Sequence, residues 1–305
     1  MKRNNGIGYL SSIAGTAAMC VLSGRAADNT VTNEMYGFGV RGGPPAEAVY
    51  SFGSRLHGEG RHYGDLDTWQ FHATYVETFP ANEHLNVLLG ADWRRVQAGV
   101  PTGAPIPKTL QSASFVVGAA WQFNQQWESR FEVLPGVYSD FEDFSSDDIN
   151  APFSIEVNYR ASIHLTLGVQ ASVDARRELP ALAFPIVRWS FGDRWLLSAS
   201  IPRPQLEYQA TETITAFAGA QFNGGTYVVS DHFGRRRGRA GLDGQAVDFQ
   251  EIRAGAGFRF NVARRLTAEI SGGWTFDRRY NFYDRNFELK TDGAPFVQAG
   301  LQWHF

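Results

Sequence analysis

Cysteine is nearly absent from this sequence of 305 residues. The single cysteine, Cys20, lies in an N-terminal segment that we expect to be removed during export. The mature chain would then contain no thiol. Disulfide bonds, cysteine-ligated zinc and thiol catalysis are therefore excluded for the mature protein.

Long apolar runs and a surplus of basic residues are absent as well. Beyond residue 30 no stretch is apolar enough, for long enough, to form a transmembrane helix, and the mean hydropathy is −0.27. Membrane β-barrels have similar averages because polar and apolar residues alternate along their strands, so that class stays open. The chain has 28 Lys and Arg against 31 Asp and Glu. We expect no nucleic-acid partner for such a mildly acidic protein.

The first 26 residues have the three parts of a secretory signal. Lys2 and Arg3 give a positive start, and residues 6–22 carry no charge. Residues 23–26 then supply small side chains at the positions that a signal peptidase recognises. We therefore predict a cleaved signal peptide over residues 1–26, with a buried N-terminal helix as the alternative.

A lipid anchor at Cys20 is disfavoured, because Met19 precedes it where lipoprotein signals have a small residue. Residues 27–47 are polar and contain Gly42-Gly43-Pro44-Pro45. This composition predicts a flexible lead-in. The remaining residues, 48–305, are interpreted as one domain.

Strict alternation of apolar and polar residues dominates this domain. Phe153, Ile155, Val157 and Tyr159, for example, are separated by polar residues. Neighbouring strand side chains point to opposite faces, so each such segment is a strand with one apolar face. Many segments run for ten residues or more, whereas strands of soluble proteins average about five or six. A strand that crosses a bilayer needs roughly 9–11 residues, which favours a membrane barrel.

Short and long connections alternate between these strands, as in outer-membrane barrels. We therefore predict an all-β fold, a closed antiparallel transmembrane β-barrel of about 14 strands, with 12 as the alternative. The predicted strands are 48–57, 67–77, 85–94, 111–123, 127–139, 152–160, 163–173, 181–190, 195–201, 204–210, 213–224, 248–260, 265–277 and 295–305. Loops 58–66, 225–247 and 278–294 are predicted to be long.

Aromatic residues gather beside the predicted short turns, as in Trp121, Phe123 and Trp127 or Trp189, Phe191 and Trp195. In a barrel they form a girdle at the membrane interface. In a soluble secreted β-sandwich, which stays as an alternative, they would pack in the core.

The C-terminal segment 295–305 alternates in the same way and ends on Phe305. It resembles the C-terminal signature of bacterial outer-membrane proteins. Segments 195–208 and 217–227 are similar to outer-membrane barrel families known only as domains of unknown function. The resemblance implies the fold, a location in the bacterial outer membrane and recognition by the barrel-assembly machinery. It implies no site residues.

Charged residues also alternate with apolar neighbours along the predicted strands. A charge facing lipid at mid-bilayer costs roughly 2–4 kcal/mol for Arg or Lys, so we expect these side chains to face the lumen. The candidates are Glu128, Arg130, Glu132, Glu156, Arg160, Glu251, Arg253, Arg259 and Glu269. They would either line a water-filled pore or pair with one another and close it.

The sequence favours a porin-like passive channel or a structural membrane component. The alternatives are a barrel enzyme acting on lipid or peptide, and a soluble secreted β-sandwich binding protein. We expect no enzyme activity, cofactor, catalytic residue or metal ligand. Expected partners are outer-membrane lipid and surface glycolipid, for which the arginines at 235–237 and 239 are loop candidates.

Overall fold

The computed structural model describes residues 45–303, so the predicted signal peptide and nearly all of the lead-in lie outside the described residues. Most of the described chain is β-strand. The strand segments are β1 (Ala46–Gly58), β2 (Arg61–Pro80), β3 (Leu85–Ala98), β4 (Thr109–Gln122), β5 (Trp127–Val133), β6 (Gly136–Ser139), β7 (Ile149–Asn150), β8 (Phe153–Ser162), β9 (Leu165–Val173), β10 (Ala181–Phe191), β11 (Trp195–Ala199), β12 (Gln205–Gln209), β13 (Ile214–Val228), β14 (Ala246–Ala263), β15 (Leu266–Phe282), β16 (Phe287–Thr291) and β17 (Ala294–Trp303).

These segments form one closed antiparallel barrel of 14 strands. Three wall strands are each made of two segments with a short break, namely β5 with β6, β7 with β8, and β16 with β17. The barrel closes where β17 pairs with β1, with Ala46 opposite Leu301 and Ser51 opposite Phe296. The predicted fold class and the higher strand count are confirmed, and the sandwich alternative is wrong because all described strands belong to one sheet.

Connections at one end of the barrel are short turns, and we call this the turn end. The opposite end, the loop end, carries the connections 99–108, 140–148, 174–180 and 229–245. Helical structure within residues 45–303 is confined to single turns, which are α1 (Phe233–Arg236) and the 3-10 turns Ser146–Asp148, Ala240–Leu242 and Tyr283–Arg285. No helix among residues 45–303 is long and apolar enough to cross a membrane.

Two predicted loops at the loop end are wrong, because strands continue through them. Strands β1 and β2 meet at a two-residue turn, Glu59-Gly60, where both φ angles are positive, 49° and 72°. Likewise β15 runs to Phe282, and β16 begins at Phe287. In these extensions the outward side chains are polar, so the alternation that marks the lipid-facing part of each strand is lost from the sequence.

The hairpin of β11 and β12 is much shorter than its neighbours. Its last pairing toward the loop end is Ser198 with Gln205, after which the chain turns through residues 200–204. Strand β10 continues for six residues past its pairing with β11, and β13 continues for nine past its pairing with β12. A notch in the wall therefore lies above this hairpin.

Proline marks one edge of the notch. The amide of Ser190 donates to the carbonyl of His164, which directly precedes β9. Because a strand alternates its two bonding sides, Pro185 directs its nitrogen away from β9 and toward the notch. Proline has no N–H to leave unpaired, which suits an open edge. On the other edge, Phe222 N donates to Pro202 O at 2.8 Å.

Connection 174–180 closes the top of the notch, and we call it the strap. It crosses from β9 to the far side of the notch, where Glu178 N donates to Asp248 Oδ2 at 3.1 Å. Farther along, Tyr283 Oη donates to the carbonyl of Arg176 at 2.6 Å. The Arg177 side chain is buried beside Gly224.

A belt of exposed apolar side chains surrounds the barrel. Phe115, for example, keeps 71% of its surface exposed. Members of the belt are distributed over the whole wall and include Leu89, Trp93, Val117, Phe131, Ile155, Val157, Leu167, Val169, Trp189, Leu206, Phe258, Ile270, Phe276, Val297 and Leu301. An exposed apolar surface that encircles a protein marks contact with lipid or with another apolar surface.

Aromatic pairs border the belt on both sides. Near the loop end Tyr50 packs on Trp69, with ring centroids 4.7 Å apart, and at the turn end Trp195 packs on Tyr208 at 4.7 Å. On β2 the outward rings of Trp69 and Phe79 are ten residues apart. At the strand rise and tilt of membrane barrels this separation corresponds to roughly 25 Å along the barrel axis.

Candidate functional site: the barrel interior

An apolar core fills the barrel near the loop end. It combines inward side chains from opposite parts of the wall, such as Leu66, Phe249 and Leu289, with side chains of two loop-end connections. Ile106 enters from connection 99–108, and Phe233 and Leu242 enter from connection 229–245. We call residues 229–245 the plug, because their apolar side chains are buried inside the barrel.

The plug residues pack closely against the wall. The rings of Phe233 and Phe282 stack with centroids 6.0 Å apart. The guanidinium of Arg239 lies over the ring of Phe287, 4.3 Å from its centroid. Burying a large apolar side chain stabilises a structure by about 1.5–3 kcal/mol, so the two buried residues Phe233 and Leu242 hold the plug with a few kcal/mol.

Ion pairs attach the plug to the rim of the barrel. Arg236 binds Glu142 in the acidic connection 140–148, and Arg239 binds Glu59 in the β1–β2 turn. The hydrogen bond from Arg239 lowers the pKa of the Glu59 carboxyl. These pairs are exposed, and exposed ion pairs contribute about 0.2–1 kcal/mol each. Three of the four arginines that the sequence offered for glycolipid binding, Arg235, Arg236 and Arg239, are therefore engaged with carboxylates of the chain itself.

One buried carboxylate joins the plug to the wall. Asp140, at the end of β6, accepts a hydrogen bond from Ser230 N at 2.9 Å through Oδ2 and from Glu142 N at 3.1 Å through Oδ1. Burial raises the pKa of Asp140, while the two amide donors oppose that change. The same region brings β13 beside β6, since Asp140 N donates to Val228 O at 3.1 Å.

The predicted lumen residues Glu251 and Arg253 form the centre of a buried cluster below the apolar core. Both are about 1% exposed. Glu251 accepts from Gln70 at 2.8 Å through Oε1 and from Arg278 Nε at 2.6 Å through Oε2. Arg253 Nε lies 3.1 Å from Glu251 Oε1 and faces the ring of Phe296. One carboxylate thus bridges two buried guanidinium groups.

A second cluster contains the predicted residues Arg259 and Glu269. Arg259 binds Glu207 at 2.9 Å and Glu269 at 3.4 Å. Glu269 also binds Arg203, which comes from the tip of the short hairpin. The side chains alternate in sign, so their charges compensate one another across β12, β14 and β15.

The third cluster holds the predicted acidic residues of β5 and β8. Arg130 Nε donates to Glu132 at 2.8 Å. Asn158 donates to Glu156 at 2.5 Å and to Glu128 at 3.3 Å. Three carboxylates here face one guanidinium, so this side of the lumen is acidic.

Arg160 differs from the other predicted residues. It follows Asn158 on the same face of β8, but its side chain is exposed at the turn end, beside Gln126 and Thr166. The structure thus brings eight of the nine candidates into three interior clusters and leaves Arg160 at the rim.

Sequence reasoning missed several interior residues. Arg203 and Arg278 were assigned to a turn and a loop, although both pair with carboxylates inside the barrel. It also missed a buried triad in which His72 Nε2 lies 2.8 Å from Asp92 Oδ2 and Arg94 Nε lies 3.1 Å from Asp92 Oδ1. The alternation of β2 and β3 contains the signal for this triad, because the three residues occupy inward positions.

A small cavity adjoins this triad. Its volume is about 50 Å³, and its lining includes Glu47, His72, Arg94, Tyr227 and Phe249. A water molecule needs roughly 10–15 Å³ of such space, so the cavity accommodates a few waters. The cavity therefore lies in the polar layer beneath the plug.

The sequence of this chain matches one family model over residues 82–304, that of the family described as Domain of unknown function (DUF6268). No curated protein has a sequence significantly similar to this chain.

Several solved barrels are similar in shape. A TodX monoaromatic hydrocarbon channel variant has a TM-score of 0.49 at 7% identity, covering 85% of this chain and 89% of its own. An outer membrane channel from Pseudomonas putida F1 has a TM-score of 0.40 at 8% identity, covering 92% and 100%. The NanC porin has a TM-score of 0.38 at 10% identity, covering 85% and 100%. Structural similarity at these identities and TM-scores says nothing about the activity of this chain.

Proposed function

The chain belongs to the DUF6268 family, and we propose that it is a bacterial outer-membrane channel for small polar solutes, held closed by its plug. The observation that carries the proposal is the contrast between two interior layers. A polar, charge-lined lumen with a water-sized cavity lies beneath an apolar core that a loop-end connection completes.

The location in the outer membrane is supported by the encircling apolar belt and its aromatic borders. A closed barrel pairs its wall strands with one another, as the bilayer core demands, and the open edge of β10 is confined to its loop-end part. The borders lie roughly 25 Å apart, the height of the apolar band in outer-membrane barrels. With the turn end facing the periplasm, the plug lies on the extracellular side. Export by a cleaved signal peptide belongs to this proposal.

The plug is suited to act as a gate because its removal leaves the wall pairing intact. Its two ends meet, since Val229 N donates to Gln245 O at 3.0 Å and Gly244 N donates to Ser230 O at 3.2 Å. Between these ends the plug is held by a few buried side chains and exposed ion pairs. Its displacement therefore costs far less than opening a strand pair over the length of the barrel.

Deleting the plug tests the proposal. Residues 231–243 are replaced by a short glycine-serine turn, which the adjacent ends permit, and the refolded barrel is studied in planar bilayers. We expect conductance several-fold above that of the intact chain. An equal exchange of the exposed turn at 210–213 is the control. A plug-deleted barrel that folds and shows no added conductance contradicts the channel and favours a structural membrane component.

Chemical cross-linking gives the converse test, because it holds the plug in place. Introduced cysteines react specifically, since no thiol is expected in the mature chain. In a variant with Glu142→Cys and Arg236→Cys, a short bifunctional thiol reagent ties the plug to connection 140–148. We expect the treated variant to lose whatever openings the untreated one shows, while each single-cysteine variant stays unaffected. Openings that persist after complete cross-linking contradict a gating plug.

The partners follow from this location. Lipid tails contact the belt, surface glycolipid contacts the loop end, and the barrel-assembly machinery acts on the C-terminal strand during insertion. No enzymatic step is part of the proposal.

A further inference from the structure

Two histidines occupy directly opposite positions at the loop end of the β1–β2 hairpin. His57 of β1 is the cross-strand partner of His62 of β2, one pair away from the two-residue turn Glu59-Gly60. Directly opposite residues of antiparallel strands have Cβ atoms about 4.5–5.5 Å apart and project from the same face of the sheet. The register therefore places the two imidazoles side by side.

Both imidazoles project from the outer face of the barrel. Leu56, which precedes His57, is 0% exposed and belongs to the apolar core. Since successive strand side chains point to opposite faces, His57 points outward, and 48% of its side chain is exposed. His62, as its partner, is exposed as well. The pair is thus accessible to ions from the solvent at the loop end.

Each histidine has a hydrogen-bond acceptor at Nδ1. His62 Nδ1 lies 3.2 Å from the carbonyl oxygen of Leu56. His57 Nδ1 lies 3.7 Å from Asp292 Oδ1. In a neutral imidazole with the proton on Nδ1, the other nitrogen carries a lone pair. These acceptors favour that tautomer in both rings, so both Nε2 atoms carry the lone pair that binds a metal.

This arrangement is the one that metal-binding histidines usually have. A histidine ligand donates its second ring N–H to a carboxylate or a backbone carbonyl, which fixes the tautomer and the orientation of the ring. Here Asp292 is placed to do this for His57, and the Leu56 carbonyl for His62. Two such rings on neighbouring strand positions are able to converge on a single ion.

The cations next to the pair have carboxylate partners of their own. Lys290, which is opposite His57 on β16, lies 3.0 Å from Glu288. Arg55 Nε lies 3.6 Å from Asp292 Oδ2. These contacts reduce the repulsion that a bound metal cation would meet.

We propose that His57 and His62 form a surface site for a divalent transition-metal ion of the zinc or copper type, bound through both Nε2 atoms. Imidazole nitrogen suits these ions, whereas magnesium and calcium take oxygen ligands. No group of three or more His, Cys, Asp and Glu side chains that could hold a metal occurs among residues 45–303, so water completes the coordination. The site does not depend on the channel proposal.

Sequence analysis predicted no metal ligand, because it placed His62 in a long loop. A loop position does not have a fixed partner, whereas a strand position does. The two-residue turn turns the loose sequence pair into a direct cross-strand pair.

Anomalous diffraction with zinc as the probe locates the site directly. Crystals of the mature barrel are soaked in zinc chloride and measured on both sides of the zinc absorption edge. We expect an anomalous peak about 2.0–2.1 Å from the Nε2 atoms of both His57 and His62. A zinc peak that touches only one of the two histidines, or neither, overturns the proposal.

Isothermal titration calorimetry in detergent gives the affinity for zinc. Loss of a partner that orients a ligand costs about 10–100-fold in metal affinity. We therefore expect Asp292→Asn to weaken zinc binding by about tenfold, and His57→Gln or His62→Gln, which remove a ligand itself, to weaken it at least as much. The matched control is His84→Gln, because His84 is an exposed histidine at the turn end.

A double variant, His57→Gln with His62→Gln, measures the zinc binding of the remaining surface. The site is overturned if the unchanged barrel binds zinc no more tightly than the double variant, or if either single replacement leaves the affinity unchanged. Unchanged affinity in Asp292→Asn overturns the orienting role of Asp292. Both histidine side chains are exposed, so we expect these variants to fold, and migration of unheated protein on gels checks this.

Discussion

Glu251 is the residue on which most of the interior charge depends. Its carboxylate contacts Gln70, Arg253 and Arg278, and all three contacts are inaccessible to solvent. Removing one partner of a buried ion pair leaves an uncompensated charge and costs about 3–5 kcal/mol. The stability of the barrel should therefore be sensitive to this one side chain.

We predict that Glu251→Gln lowers the free energy of unfolding by about 3–5 kcal/mol. Urea equilibrium unfolding in detergent measures the change. Glu288→Gln is the control, since Glu288 pairs with Lys290 at 3.0 Å in a more exposed setting, where a pair is worth at most about 1 kcal/mol. Equal losses in the two variants would refute the buried network as a source of stability.

The sequence could predict which charges face inward but not which of them meet. Alternation along β14 assigns Glu251, Arg253 and Arg259 to the inner face with no further information. The partner of Glu269, however, is Arg203, which is 66 positions away in a proline-flanked turn. Pairings of this kind depend on the order of strands around a closed barrel, which alternation alone does not encode.

At the scale of elements, the short β11–β12 hairpin decides the shape of the wall. The sequence indicates its length, because Pro202 and Pro204 cannot lie inside a ladder. The predicted strands 163–173 and 181–190 leave the strap that crosses the resulting notch only as the connection between them. Its docking depends on contacts with β14 and the 3-10 turn at Tyr283–Arg285, which lie far away in sequence.

We predict that Arg177→Ala loosens the strap. The Arg177 side chain is buried and interacts electrostatically with Asp248 and Asp174, so its removal exposes two carboxylates without their cation. Hydrogen exchange at the amides of residues 174–180 should become at least tenfold faster, which corresponds to about 1.4 kcal/mol of lost local stability. Arg176→Ala is the control, because Arg176 is bonded to Tyr283 and Asp174 through its backbone, which the substitution keeps. Equal protection in both variants would contradict this role for Arg177.

The strand extensions at the loop end show that apolar–polar alternation does not predict where these strands end. Strand β15 has 17 residues and β14 has 18, more than a bilayer needs. Predicted ends near residues 248 and 277 mark where the outward side chains stop being apolar. Pairing continues beyond this point because both faces of the extension are covered, one by the plug and one by polar contacts such as that of Asn281 with Glu178.

At the scale of the whole molecule, fold class and strand number were predictable, whereas the state of the lumen was not. Long alternating strands predict a closed barrel, and the alternation of short and long connections predicts an even number of strands. The plug is recognised from the burial of Phe233 and Leu242 inside the barrel, and residue type alone does not distinguish a folded-in plug from a solvated loop.

A closed barrel in a membrane leads to a specific prediction for electrophoresis and fractionation. In mild detergent, unheated protein should keep its compact barrel and migrate faster than the boiled chain, and the protein should fractionate with outer membranes. Disruption of the closing pair of β1 and β17, for example by Ala48→Pro, whose N–H faces β17, should abolish the fast-migrating form. The control is Thr211→Pro in an exposed turn. Release of intact protein in the soluble fraction would contradict the membrane assignment.

The plug also constrains the order of biogenesis. Its side chains Phe233 and Leu242 share one buried cluster with Leu56 of the first wall strand and Leu289 of the last, and these strands become neighbours only when β1 meets the final strand. Before that pairing forms, the surface that buries the plug is incomplete. During synthesis and insertion Phe233 and Leu242 must therefore stay uncovered until β1 pairs with the final strand, so the plug is the last part of the protein to fold into place.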